Sequence, residues 1–141
     1  MTNIDIVQQM YAAFGRGDIP AILDRMAADV VWEYGVNSTD IPWLRPRRGK
    51  EGVADFFACL SEFEIHKFQP QHLLGGDNIV VGLVDFEATV KATGKRIVEE
   101  DEVHIFYFNG AGQVTKFRHR VDTYQAWAAY QRELVATTSA S

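Results

Sequence analysis

The sequence predicts a single α+β domain whose β-sheet curls around its helices. Apolar residues recur at helical spacing through the first quarter of the chain and again near residues 53–60, and the texture turns strand-like from Phe63 onward. At 141 residues the chain supports one hydrophobic core, since two would each be small and marginal. Three helices cannot cover a large flat face, so the long strands must curve around them. The domain is expected over residues 1–136, and the small polar stretch 137–141 is expected to be a disordered tail.

Thr2 with Asp5 three residues on is a capping pair, and Val7, Met10, Tyr11 and Phe14 then form one apolar stripe. Gly15 and Gly17 end that helix, because glycine takes the left-handed conformation at a helix terminus without strain. Asp18 caps a second short helix with Pro20 in its first turn and Ile22, Leu23 and Met26 facing inward. Val30 to Val36 alternates as a strand, followed by a loop with Pro42, Pro46 and the basic run Arg45–Lys50. Val53, Phe56, Phe57 and Leu60 mark a third helix. Strands are then expected over Phe63–Leu74 (weakened at Pro70), Ile79–Val90, Ile97–Phe108 and Val114–Val121, with glycine-bearing turns between them. A last helix starts near Asp122 and carries Trp127, Tyr130 and Leu134.

Composition narrows the function. With 14 Lys and Arg against 19 Asp and Glu, the net charge of −5 disfavours a nucleic-acid partner. One cysteine, Cys59, rules out a disulfide framework and a cysteine-rich zinc site, and the four histidines lack zinc-motif spacing. No phosphate-cradling glycine loop, nucleophile elbow or membrane-length apolar run occurs, so no cofactor, metal or membrane is expected, and the domain is expected to be cytoplasmic. The run Val98-Glu99-Glu100-Asp101-Glu102 alternates across a strand and reads as a solvated strand edge.

The segment Gln9–Asp18, followed by Met26–Trp32, Arg48–Phe57 and Phe117–Thr123, resembles the nuclear transport factor 2-like (NTF2-like) superfamily, and within it SnoaL-like polyketide cyclases, ketosteroid isomerases and limonene epoxide hydrolases. The resemblance spans residues 4–132. It implies a cone with a strongly curved mixed sheet, a concave apolar pocket and a homodimer through the convex face. It also implies that Asp122 matches an aspartate that acts as acid or base. Tyr11 matches the isomerases' oxyanion-binding tyrosine, and His104 falls where they keep a protonated aspartate.

Each match has a plainer reading. Asp122 can equally be a helix N-cap, Tyr11 a core tyrosine and His104 a satisfied sheet histidine. Tyr34 stands where the isomerases place their aspartate base, which disfavours steroid isomerisation by that route. The hydrolases' Arg-x-Asp pair is reduced to Leu83-Val84-Asp85, and alternation leaves open whether Asp85 or Phe86 faces inward. Arg120 pairs with the site or snorkels out to solvent. Trp32, Tyr34, Phe57 and Phe106 are expected pocket walls. If His104 points inward, Glu102, Phe106 and Phe108 follow, and Val103, Ile105 and Tyr107 form an apolar convex row suited to a dimer.

The expected function is cofactor-independent acid/base chemistry of isomerase, cyclase or dehydratase type on a small apolar or aromatic, oxygen-bearing molecule. In it Asp122 moves the proton while Tyr11 and His104 polarise the substrate. A non-catalytic ligand-binding or dimerising module is the alternative, and epoxide hydrolysis is disfavoured by the missing arginine.

Overall fold

A computed structural model describes residues 1–32 and 41–131. The expected wall residue Tyr34 and the expected tail 137–141 lie outside the described residues. Helix α1 (Asn3–Gly15) opens with the reciprocal Thr2–Asp5 capping box, and Gly17 beyond its end has φ +73°. Helix α2 (Ile19–Leu23) is capped by Asp18, whose carboxylate accepts from the Ala21 amide at 3.2 Å. Strand β1 (Met26–Trp32) begins four residues before the expected start at Val30, so Met26 belongs to the sheet rather than to the helix before it.

The expected loop is more structured than its prolines suggest. It contains a 3-10 turn (Pro42–Leu44) and a two-residue strand β2 (Arg47–Arg48) antiparallel to β1. Helix α3 (Gly49–Cys59) leads into three long strands, β3 (Phe63–Gly75), β4 (Ile79–Val90) and β5 (Arg96–Phe108). Strand β6 (Val114–Arg120) and helix α4 (Thr123–Tyr130) complete the described chain. The sheet order is β2-β1-β6-β5-β4-β3, mixed because β1 and β6 run parallel. Pro70 is tolerated because β3 is an outer strand, and the register slips between Pro70 and His72.

Register shifts also interrupt β3–β4 near Ile65, β4–β5 between Val84 and Phe86, and β5–β6 near Phe108. Each bulge bends its strand and increases the local twist, and together they curl the sheet around the helices. Two apolar clusters result. One joins Ile6, Val7 and Met10 of α1 to Met26, Val30, Val53 and Phe106. The other joins Trp43, Leu44, Phe63 and Ile97 to Ala126 and Ala129 of α4. Helix α4 therefore packs through its alanines, and Trp127 lies on its exposed side. Phe56 packs against both clusters, and the space between them is where the cavity lies.

Candidate functional site

A cavity of about 110 Å³ opens between the helices and the concave face of the sheet. Its wall is aromatic and aliphatic, with Trp32, Phe57, Phe68, Phe86, Phe106 and Phe117 among the lining side chains. Trp32 stacks on Phe117 with ring centroids 3.9 Å apart, and its indole N–H is buried with no acceptor among the described residues.

Five polar side chains interrupt this wall: Tyr11, Glu99, Glu102, His104 and His119. Tyr11 sits on the inner stripe of α1, and its hydroxyl lies 2.8 Å from His104 Nδ1. His104 Nε2 lies 2.9 Å from Glu102 Oε2. His104 and Glu102 are 7% and 9% exposed, so the two bonds replace water they have lost. Nε2 carries a proton toward the carboxylate, and Nδ1 accepts the phenol proton of Tyr11, which satisfies every partner with a neutral imidazole. Burial, with the Glu102 charge nearby, raises the Tyr11 pKa above its ordinary value and keeps the phenol protonated.

Gly82 makes this contact possible. It pairs with His104 across β4–β5, and a Cβ there would lie 2.5 Å from the Tyr11 hydroxyl. The phenol occupies the space a side chain would fill.

The acidic run of β5 departs from strict alternation. Strand β5 lies in the interior of the sheet, between β4 and β6, so the run is not a solvated edge. Asp101 has φ +58°, and Glu100 and Asp101 both face outward. That extra outward residue turns Glu99 inward along with Glu102, three positions apart. Their carboxyls share a side-chain hydrogen bond, and Glu99 also accepts from the Asp122 amide at the start of α4. Burial pushes the Glu99 pKa up to about 8, against the Asp122 hydrogen bond and helped by the Glu102 charge. Burial would raise Glu102 too, but the hydrogen bond from His104, reinforced by that from Glu99, wins and holds it below its ordinary value. Near neutral pH the pair is therefore one carboxylic acid, Glu99, beside one carboxylate, Glu102. Burial also pushes His119 down to about 4, so it stays neutral in the wall.

These environments set a pH dependence. The folded pKa of Glu99 lies above its ordinary 4.5, so its contribution to stability is full below about 4.5 and lost as pH rises through about 8. A Glu99→Gln chain does not ionise there. Chemical denaturation is expected to show equal stability near pH 5 and a growing advantage for the variant toward pH 9; parallel curves would remove the assignment.

Among the residues proposed from sequence, the fold brings Tyr11, His104, Trp32, Phe57 and Phe106 to one cavity. Asp122 is not among the lining residues. It is exposed at the start of α4, where its Oδ1 accepts from the Gln125 amide at 3.0 Å, and its backbone N–H donates to Glu99 of the site. Arg120 is exposed opposite Val103, on the outer face of the sheet. Phe86 faces inward and Asp85 outward. Glu102 follows His104 inward as alternation expects, whereas Glu99 was hidden by the bulge, since period-2 reading sends it to the outer face. Among the described residues no group of three or more His, Cys, Asp or Glu is disposed to hold a metal ion. No helix among them is long and apolar enough to cross a membrane.

The profile of the SnoaL-like domain family matches residues 7–117. No curated protein matches the chain. An NTF2-like protein from Burkholderia pseudomallei superposes with a TM-score of 0.80 at 23% identity, covering 92% of this chain and 98% of that one. An NTF2-like protein from Burkholderia xenovorans gives 0.80 at 26% identity, covering 92% and 95%. TerC, co-crystallised with polyporic acid, gives 0.74 at 22% identity, covering 90% and 96%.

Proposed function

Because the chain belongs to the SnoaL-like domain family, we propose that its cavity binds a small, largely apolar, oxygen-bearing molecule and moves a proton on it without a cofactor. The observation that carries this reading is the Tyr11–His104–Glu102 hydrogen-bond chain, which ends in an otherwise apolar cavity. A substrate proton reaching the Tyr11 oxygen displaces the phenol proton onto His104 Nδ1. The resulting imidazolium is stabilised by the Glu102 carboxylate, and the reverse transfer returns a proton to a different substrate atom. Glu99, protonated near neutral pH, turns its O–H from Glu102 to the substrate oxygen on which charge develops. The unpartnered Trp32 N–H favours a ligand with a second acceptor atom. Isomerisation, cyclisation and dehydration all use such a transfer, and TerC offers polyporic acid, a hydroxyquinone, as a first probe.

Asp122 has a supporting part in this scheme, capping α4 while its backbone anchors Glu99. The test is solvent deuterium exchange into candidate ligands. Aromatic ketones, phenols and hydroxyquinones, polyporic acid included, are screened by thermal shift, and binders are incubated in D2O and weighed. Wild type is expected to catalyse incorporation; Tyr11→Phe and His104→Phe are expected to lose roughly 10²–10⁴-fold in rate. Asp122→Asn, which keeps the cap, is expected to retain it. Binding with no incorporation would make the protein a ligand carrier, and loss in Asp122→Asn alone would return the proton transfer to Asp122.

The proposal extends to a homodimer through the convex face, where Val103, Ile105 and Tyr107 form a half-buried apolar row on β5.

A further inference from the structure

Strand β5 carries Glu102, His104, Phe106 and Phe108 inward in strict alternation. Continued toward the N-terminus, that period would bring Glu100 and Val98 inward and send Glu99 and Ile97 to the outer face. The opposite is seen, with Ile97 buried and Glu99 in the cavity wall. The phase changes at Asp101, an L residue held at φ +58°, opposite the slip between Val84 and Phe86. A left-handed residue inside a strand is strained unless its surroundings hold it.

What holds it lies on the far side of the sheet from the cavity. Asp85 Oδ1 accepts the Asp101 backbone N–H at 3.2 Å. The other oxygen, Oδ2, accepts from Gln71 Nε2 at 3.0 Å and lies 3.8 Å from Lys67 Nζ, so two β3 side chains orient the carboxylate. Asp85 also occupies the β4 position at which the register slips. A bulge leaves one amide without a ladder partner, and this side chain takes the place of the missing carbonyl.

We propose that Asp85 is a positioning residue for the cavity acids, holding the β5 bulge in the conformation that turns both Glu99 and Glu102 to the concave face. Its meaning for chemistry rests on the acid/base reading above, but the arrangement itself is tested without substrate. The groups that face Glu99 are Glu102 on its own strand and Asp122 at the start of α4; Asp85 acts on it only through the backbone. Without the Asp85 bond the bulge loosens, and Glu99 gains water and moves away from Glu102.

The experiment follows the Glu99 carboxyl carbon by NMR through a pH titration of the full chain, ligand-free. In the wild type the midpoint is expected near 8. In Asp85→Ala it is expected to fall toward the ordinary 4.5, with faster hydrogen exchange at the Asp101 amide. Asp85→Asn keeps the accepting oxygen and removes the charge, so it is expected to retain the high midpoint. Asp101→Gly in the Asp85→Ala chain is expected to restore it, because glycine adopts φ near +58° without strain. An unchanged midpoint in Asp85→Ala overturns the proposal. So does an equal fall in Asp85→Asn, which would make the effect one of charge, or a failure of the glycine to rescue. Failure of deuterium exchange into every ligand would sink the acid/base reading while leaving this result standing.

Discussion

Replacing His104 with phenylalanine is expected to cost about 3 kcal/mol of stability at pH 8, and distinctly less at pH 5. Phenylalanine keeps the ring volume among Phe106, Phe117 and Phe68, so packing is nearly preserved and the cost is electrostatic. Tyr11 loses its acceptor, and the buried Glu102 carboxylate loses the His104 hydrogen bond that helps keep it ionised. Its folded pKa then rises above the ordinary 4.5, because burial is left as the dominant influence. A raised folded pKa gives stability that is present below the ordinary value and lost as pH rises. Urea denaturation of wild type and variant at both pH values checks this. An equal cost at the two would mean that Glu102 is not held as a carboxylate by His104.

The second large effect comes from a residue with no side chain. Gly82→Ala is expected to cost about 1–3 kcal/mol, since the new methyl enters the space of the Tyr11 phenol in a close-packed interior. It would meet the hydroxyl at 2.5 Å, Leu73 Cδ2 at 3.2 Å and the phenol Cζ at 3.4 Å. The nearest atom is the one that Tyr11→Phe removes. Tyr11→Phe alone is expected to cost about 1 kcal/mol, the net value of one hydrogen bond. In its background Gly82→Ala should cost much less, a positive coupling of about 1 kcal/mol or more measurable in a double-mutant cycle. Additive costs would place the phenol away from Gly82.

Much of the scaffold was legible because its signals are local. The Thr2–Asp5 box, the stripe of α1, the Asp18 cap and the turns at Gly75–Asn78 and Asn109–Gly112 depend on residues within a few positions of one another. Tyr11 and His104 were candidates through the resemblance to the ketosteroid isomerases, while their own periods, a helix stripe and an alternating strand, allowed a plain core role. That they touch could not be read, since 93 positions separate them and only the curl of the sheet closes the distance. Strand β2 escaped notice for a similar reason. Two residues carry no period, and Arg47–Arg48 becomes a strand only because β1 offers it an edge.

The acidic run of β5 shows the limit most clearly. Its composition suggested solvent, and alternation allowed only every second member inside. A bulge at Asp101, braced by Asp85 from the neighbouring strand, changes the phase and places two carboxyls against a histidine in an apolar cavity. By itself the sequence determined the helices, the long strands, the α+β class and the aromatic supply for a pocket, since those follow from short-range periodicity and capping. Tertiary structure alone decided which acids face inward, that Asp122 caps α4 at the surface, and that Glu99 keeps its proton near neutral pH. Those outcomes depend on register, burial and neighbouring charge, which arise only when distant segments pack together.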